Sequence, residues 1–270
     1  MRTLSAALLV PAALALIYFG GIAFALMSAL LATVLLREWS VIVGAGGDLV
    51  AAPVAHVGVL AVLLLTYLGD AQTAFGILFV VALGLYLSGL ARSHAPNRWL
   101  ACGTLYAGAT GIVLIVLRQG SEGALLILFL FLVVWVTDIV AYFVGRKVGG
   151  PKLWRRVSPK KTWSGALGGL GGALVVGAVT SGFSALAPAF AWILAAGVLS
   201  IYAQIGDLAE SALKRRFGVK DSGTIIPGHG GVMDRIDGVV GAAVLGYLTA
   251  LAIGGQLADP AAAFLNTQGL

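Results

Sequence analysis

Long apolar runs, separated by short stretches rich in glycine and charge, follow one another along most of the chain. A helix needs about 20 apolar residues to cross a bilayer, with a usual range of about 17 to 25. Such runs predict nine membrane-spanning helices, at 4–17, 20–36, 51–68, 72–91, 98–117, 123–144, 164–184, 187–205 and 238–257. The pair Gly20-Gly21 leaves open whether residues 4–36 form two helices or one kinked helix. The predicted fold is an all-α, polytopic membrane protein.

Two polar segments interrupt this pattern. Residues 145–165 hold seven basic residues and no acid, and residues 206–238 hold five acids and five basic residues. Because two predicted helices separate the segments, both emerge on the same side of the membrane. We therefore expect one multi-pass domain with its chemistry at that interface. Its predicted parts are the hydrophobic helices of 1–120 and a catalytic half, 121–270, with polar segments 145–163 and 206–237.

Composition supports the membrane assignment. The chain is 60% hydrophobic and only 10% charged, whereas average soluble domains hold about 25% charged residues. This excludes an ordinary water-soluble enzyme, a disordered chain and a nucleic-acid-binding domain built on a basic surface.

The distribution of basic residues predicts the orientation. With nine spans and a cytoplasmic N-terminus, every Lys and Arg except Arg118 lies on the cytoplasmic side. Positive charge marks cytoplasmic loops, so the net charge of +6 is interpreted as topology rather than as a nucleic-acid site. We expect a cytoplasmic (inner) membrane protein with both polar segments in the cytoplasm.

Four aspartates lie at predicted helix ends. Asp138 interrupts the apolar run WVTDIVAY, where a charge costs about 2.5 to 3.5 kcal/mol on insertion scales. Asp207 follows an apolar helix, and Asp234 and Asp237 are spaced to share one helix face. Such carboxylates favour a hard cation such as Mg²⁺. The alternatives are neutralisation by Arg235 and nearby lysines and, for Asp138, a hydrogen bond between helices.

A glycine-rich stretch, Pro-Gly-His-Gly-Gly at 227–231, precedes a helix predicted from residue 232. Glycines let backbone N–H groups approach an anion, and a helix N-terminus favours negative charge. Flanking basic and acidic residues make this a candidate phosphate and metal site. His229 would donate to a phosphate or assist proton transfer, although a structural hydrogen bond explains it equally well.

The basic segment ends in Ser-Pro-Lys-Lys-Thr-Trp at 158–163, directly before a predicted span. Pro159 imposes an extended or turn conformation, and we expect Lys160 and Lys161 to point into the interface. Contact with anionic lipid, at about 1 kcal/mol per basic residue, is the alternative for this segment. The residue types together indicate phosphorus chemistry on an anionic substrate.

The stretch SALKRRFGVKDSGTIIPGHGGVMDRID, at 211–237, resembles the signature of phosphatidate cytidylyltransferases, also called CDP-diacylglycerol synthases. Supporting resemblances are Asp-x-x-Ala-Tyr-x-x-Gly from Asp138, the segment 158–163, and Gly-Asp-Leu-x-Glu-Ser from Gly206. They cover the C-terminal half of the chain. Ser164 stands where the family usually has Glu, and Gly238 where it usually has Ser, which bears on positioning more than on reaction type.

The resemblance implies transfer of a cytidylyl group from CTP to phosphatidate, with Mg²⁺ as cofactor and room for a second, monovalent cation. It implies CTP, phosphatidate and membrane lipids as partners, no nucleic acid, and is compatible with a homodimer. The implied catalytic residues are Asp207, Asp234, Asp237, Lys161 and His229. The implied metal ligands are Asp207, Asp234, Asp138 and Asp237. The implied substrate contacts are Ser158, Lys160, Thr162, Ser211, Lys214, Arg215, Lys220, Asp221, Gly228, Gly230, Gly231 and Arg235.

Two other classes remain open. A transporter or channel would suit an aspartate within a span, but the motifs crowd into one half of the chain instead of recurring in both. A CDP-alcohol phosphotransferase would need an Asp-Gly-x-x-Ala-Arg pattern, which is absent; a polyprenol kinase is the remaining transferase alternative.

Overall fold

The structure, a computed structural model, describes residues 2–120, 122–184, 186–223, 225 and 230–259, with side chains from residue 11 onward. Helices form most of this part of the chain. They are α1 (Arg2–Phe19), α2 (Gly21–Ile42), α3 (Ala51–Tyr67), α4 (Ala71–Ala91), α5 (Ala95–Gln119), α6 (Gly123–Val148), α7 (Trp163–Phe183), α8 (Ala189–Arg216) and α9 (Met233–Ala252). Two strands, β1 (Lys152–Trp154) and β2 (Ser158–Thr162), lie between α6 and α7.

A helix occupies each of the nine predicted positions, which confirms the all-α class. Among the described residues, seven helices are long and apolar enough to span a membrane, namely α2 and α4 to α9. Helix α3 is a shorter apolar helix of 17 residues. The chain is therefore a multi-pass membrane protein.

Residues 4–36 form two helices rather than one. Gly20 has a φ of +63°, a left-handed conformation that glycine adopts without strain and that ends α1. The guanidinium of Arg118 donates to the carbonyls of Ile17 at 2.7 Å and Tyr18 at 3.0 Å. These carbonyls lie at the C-terminus of α1, where a helix lacks intrahelical donors and carries partial negative charge. A Cβ at Gly20 would collide with the same guanidinium.

The chain divides into two compact units. Unit 1 comprises Met1–Ala124 and Phe217–Arg235, and unit 2 comprises Leu125–Arg216 and Ile236–Leu270. The polar stretch after α8 therefore belongs to unit 1 as far as Arg235, and α9 begins in unit 1 and continues in unit 2.

Helix α5 forms the centre of unit 1 and packs against α2, α3 and α4. Three glycines on α5 leave room for large side chains of these helices. The pairs are Gly103 with Trp39, Gly108 with Leu78, and Gly111 with Leu63. Small residues allow this close approach where helices pack in a membrane.

Asp48 joins two elements of unit 1 outside the apolar helices. One of its carboxylate oxygens accepts from the N–H groups of Val50 at 2.9 Å and Ala51 at 2.8 Å, and the other accepts from Asn97 at 2.9 Å. The bonds from Ala51, Asn97 and Val50 lower the pKa of Asp48 from 3.8 to about 2. Asp48 therefore fixes the start of α3 against the start of α5.

Unit 2 has its own apolar core. Phe129 and Val133 of α6 pack with Ala173 of α7 and with Trp192 and Ala196 of α8. The rings of Phe129 and Trp192 meet edge to face, with centroids 4.9 Å apart, an arrangement that aromatic pairs prefer.

Glycines bring the backbones of unit 2 together. A Cβ at Gly169 of α7 would lie 2.8 Å from the carbonyl oxygen of Thr137 in α6, and one at Gly165 would lie 2.7 Å from that of Ala141. These two glycines are one helical turn apart, so α7 presents a smooth strip to α6.

Strands β1 and β2 form an antiparallel hairpin that the sequence pattern did not predict. Lys152 pairs with Thr162, and Trp154 with Ser158. The hairpin leads directly into α7, because the hydroxyl of Thr162 accepts from the N–H of Gly165 at 3.1 Å and so caps the helix.

Two glycines of α7 provide a matched test of this packing. We expect Gly169→Ala to lower the free energy of unfolding by about 1 to 3 kcal/mol, because its Cβ would press on backbone that cannot move away. A Cβ at Gly171 would meet no atom within 4 Å, so Gly171→Ala is the control and should be neutral or slightly stabilising, because Ala favours a helix over Gly by about 0.5 to 1 kcal/mol. Thermal unfolding of the purified protein in detergent measures both. Equal destabilisation by the two substitutions would contradict the packing argument.

Candidate active site

In unit 2, Asp207 of α8 forms an ion pair with Lys161 of β2. The hydroxyl of Ser211, one turn further along α8, lies 3.5 Å from the other carboxylate oxygen of Asp207. The Lys161 and Asp207 side chains keep 29% and 25% of their surface exposed. The pair is thus held by the fold and still accessible to a charged ligand.

Two further aspartates interact with this pair electrostatically. The carboxyl group of Asp138 in α6 lies within electrostatic range of Asp207 and Lys161. The carboxyl group of Asp237 in α9 lies within electrostatic range of Asp207, Glu210 and Asp138. We refer to Asp138, Asp207 and Asp237 as the aspartate cluster. Its three carboxyl groups belong to three different helices, so only the fold of unit 2 brings them together.

A glycine contact places α8 and α9 close enough for this. A Cβ at Gly206 would lie 2.6 Å from the carbonyl oxygen of Asp237 and 2.8 Å from the Cα of Gly241. Because Asp207 follows Gly206 directly, the same contact sets the position of Asp207 relative to Asp237. The N–H of Gly238 donates to Asp237 at 2.7 Å and orients its carboxylate.

The hairpin separates two adjacent lysines that were both expected to point into the interface. Successive residues of a strand point to opposite faces, and Lys160 is exposed whereas Lys161 is half-buried against Asp207. Thr162, which follows, is buried and caps α7. Of the two lysines, the structure therefore places Lys161 at the aspartate cluster and Lys160 on the surface of the hairpin.

Glu210 is a site residue that the sequence analysis did not select. Its carboxylate lies 2.8 Å from the ammonium of Lys214, and the two side chains are 1% and 10% exposed. Lys214, predicted to contact substrate, is thus buried beside Glu210. A Glu four residues before a Lys on a helix is the local signal for this pair, but its burial is a tertiary property.

In unit 1, Asp234 organises the start of α9. Its Oδ2 accepts from the N–H of Ser222 and from the N–H of Gly231, each at 2.9 Å. Gly230 has a φ of +82°, and a Cβ there would lie 2.7 Å from the same oxygen. Both its backbone conformation and the close approach of Asp234 therefore require glycine at position 230.

Glu38 of α2 is the second residue that sequence analysis missed. It is only 3% exposed and accepts from the N–H of Val232 at 2.9 Å, the N–H of Met233 at 2.8 Å and the hydroxyl of Ser222 at 3.0 Å. The available signal was a glutamate inside the apolar run LLREWSVI, which needs a polar partner at membrane depth.

This geometry corrects one expectation about the glycine-rich stretch. Residues 227–231 and the helix start at 232 were predicted to turn backbone N–H groups toward a substrate phosphate. In the structure the N–H groups of Gly231, Val232 and Met233 donate instead to the protein's own carboxylates, Asp234 and Glu38. The anion that occupies the N-terminus of α9 is thus internal.

The remaining predicted residues are placed as follows. The exposed ones are Arg215, Lys220, Asp221 and Arg235, and Ser158 is half-buried. Gly228 and His229 lie outside the described residues.

The predicted metal ligands fall into both units. Asp138, Asp207 and Asp237 belong to unit 2, and Asp234 belongs to unit 1. Carboxylate oxygens are ligands that a hard cation such as Mg²⁺ prefers. Within the described parts of the chain, no group of three or more His, Cys, Asp or Glu side chains is arranged to hold a metal ion. Magnesium binding therefore stays a prediction.

Comparison with known proteins identifies the family. A model of the cytidylyltransferase family matches residues 1–252. The chain belongs to the cytidylyltransferase family.

Curated relatives carry a more specific name. The chain is 54% identical over 152 residues to a phosphatidate cytidylyltransferase of Brucella abortus (strain 2308), a match that covers 56% of each protein. A phosphatidate cytidylyltransferase of Staphylococcus saprophyticus is 52% identical over 119 residues, covering 43% of this chain and 45% of the relative. One of Staphylococcus haemolyticus is 50% identical over 118 residues, with the same coverage of 43% and 45%. The chain thus matches about half the length of these cytidylyltransferases.

Proposed function

We propose that the chain transfers the cytidylyl group of CTP to phosphatidate, forming CDP-diacylglycerol and pyrophosphate. The observation that carries this proposal is the ion pair of Lys161 and Asp207. It joins the segments 158–163 and 206–211, two of the segments on which the resemblance to phosphatidate cytidylyltransferases rests. Relatives with that name share about half of their sequence with the chain over the matched residues.

The reaction needs no general base. A phosphate oxygen of phosphatidate, already an anion, bonds to the α-phosphorus of CTP. The bond from that phosphorus to the oxygen of the β-phosphate breaks, and pyrophosphate leaves with the electron pair. Because both reactants are polyanions, the protein has mainly to align them and to offset their repulsion.

Lys161 is the residue best suited to this task. Its partly exposed ammonium is oriented by Asp207, so it can contact a phosphate oxygen without first being ordered. A positive charge fixed before the reaction stabilises developing negative charge at little reorganisation cost. The exposed Arg215 and Lys220 are further candidates for contacts with the triphosphate.

We propose that the aspartate cluster holds Mg²⁺. Its ligands are carboxylate oxygens, which this cation prefers, and their mutual repulsion is relieved by a bound cation. Asp234 is a further candidate from the sequence alone. Magnesium, when bound, would offset charge on the departing pyrophosphate.

We also propose a cytoplasmic site in the inner membrane. Phosphatidate reaches it from the bilayer, with its headgroup at the interface, and CTP arrives from the cytoplasm. The concentration of basic residues in the segments 145–163 and 206–237 supports this orientation through the positive-inside rule.

The direct experiment uses purified full-length protein with labelled CTP, phosphatidate and Mg²⁺. Formation of labelled CDP-diacylglycerol that requires both substrates supports the proposal. Folded protein that forms no such product would contradict it.

The two hairpin lysines should differ in their effect on turnover. Lys161→Ala removes the charge beside Asp207 and should lower kcat/KM at least about tenfold, equivalent to about 1.4 kcal/mol of barrier. Lys160→Ala should have a smaller effect, and the exposed Lys152 provides the control substitution Lys152→Ala. Equal losses in all three variants would show that only surface charge matters.

Asp207 provides the test of the metal proposal. Asp207→Asn keeps the size and removes the anionic ligand, so turnover should fall by about two orders of magnitude or more at limiting Mg²⁺. Raising the Mg²⁺ concentration should restore part of the lost turnover. The exposed Asp259 provides the control Asp259→Asn, which should be silent. Near wild-type turnover of Asp207→Asn at limiting Mg²⁺ would remove Asp207 from the metal site.

The orientation is tested by labelling single cysteines in sealed vesicles after Cys102 has been replaced. A cysteine introduced by Lys152→Cys should react only with a reagent on the cytoplasmic side. One introduced by Asp259→Cys should react only from the opposite side. Reversed labelling of the pair would overturn the proposed orientation.

A further inference from the structure

A single buried carboxylate holds the start of α9 in unit 1. The two oxygens of Glu38 receive three hydrogen bonds, from the N–H groups of Val232 and Met233 and from the hydroxyl of Ser222. The first N–H groups of a helix lack intrahelical partners. Glu38 supplies these partners from another helix and also places negative charge at the positive end of α9.

The backbone around Glu38 is shaped to admit it. A Cβ at Gly231 would lie 2.6 Å from both carboxylate oxygens, and a Cβ at Gly223 would lie 3.0 Å from one of them. Larger residues at either position would displace the carboxylate. Thus two glycines of the segment Phe217–Arg235 leave room for the same side chain.

The beginning of this segment is anchored by the neighbour of Glu38. Trp39 donates its indole N–H to the carbonyl of Trp99 at 2.8 Å. The ring of Trp99 meets that of Phe217 edge to face, with centroids 5.3 Å apart. Adjacent residues of α2 therefore hold the segment near both of its ends.

We infer that Glu38 is a positioning residue for the segment Phe217–Arg235, acting through Ser222 and the first turn of α9. This inference rests on the proposed function insofar as it concerns activity, because the segment carries the predicted substrate contacts Lys220, Asp221 and Arg235. The three hydrogen bonds of Glu38 all come from protein groups, and they set the conformation in which those side chains meet CTP.

The first test is independent of activity. Glu38→Gln keeps the size but replaces one acceptor oxygen by a donor, so it cannot accept all three bonds. Hydrogen bonds to charged groups are stronger than those to neutral ones, so exchange of the Val232 and Met233 amides should accelerate at least about tenfold. Glu122→Gln, in the same unit, is the matched control. Hydrogen exchange with mass spectrometry on the full-length protein measures both variants.

The second test separates positioning from a general loss of stability. At a temperature well below unfolding, Glu38→Gln should raise the KM for CTP about tenfold, whereas Glu122→Gln should not. A merely structural role would reduce the amount of folded enzyme and leave the KM of the folded fraction unchanged. If Glu38→Gln does not purify as folded protein, Ser222→Ala removes one of the three bonds and should show the same changes to a smaller degree.

A failure of this inference can be distinguished from a failure of the proposed function. Faster exchange at residues 232–233 with a raised KM supports the inference. Unchanged exchange overturns it, whatever the activity, and so does faster exchange with an unchanged KM. If the wild-type protein forms no CDP-diacylglycerol, the proposed function fails, and the exchange measurement alone then decides whether Glu38 positions the segment.

Discussion

Every charged group buried among apolar helices must find a partner within the protein, and this constraint explains the polar architecture of both units. Water is not available in the hydrocarbon region to satisfy such groups. Buried Glu210 is paired with Lys214, and buried Glu38 with backbone N–H groups and the hydroxyl of Ser222. Asp207, which is only partly buried, is paired with Lys161. These pairings also fix the elements that carry the candidate chemistry.

The second requirement is close approach of helix backbones, which in a membrane depends on small residues. Gly165 and Gly169 bring α7 against α6, and Gly206 brings α8 against α9. The contact at Gly206 differs from ordinary core packing because it also sets the position of Asp207 relative to Asp237 in the candidate site. The aspartate cluster exists only because its three helices approach closely enough for their carboxylates to interact.

Each unit has its own polar centre, and the two centres differ in character. The centre of unit 2 contains a partly exposed lysine and aspartate, which suits contact with charged substrates. The centre of unit 1 is built around the buried Glu38, whose described contacts are all with protein groups. Because of this contrast, we assign the chemistry to the centre of unit 2 and a positioning role to Glu38 in unit 1.

The sequence alone determined the helical class, the positions of the described helices, the membrane environment and the family, because hydrophobic runs and motifs are local properties of the chain. It also indicated the aspartates and Lys161 through the resemblance. It did not predict the hairpin, since strand pairing depends on partners and on the turn. It led us to expect both Lys160 and Lys161 to point into the interface, although the pleat of a strand sends neighbouring side chains to opposite faces.

Only the tertiary structure decided which groups face one another. Glu38 and Val232 are separated by 194 positions, and no periodicity links residues so distant in the chain. The sequence predicted that the N-terminus of α9 attracts an anion, as the N–H groups at a helix start generally do. It could not show that a glutamate of α2 supplies that anion, because the choice between an internal carboxylate and a substrate phosphate depends on how α2 packs within unit 1.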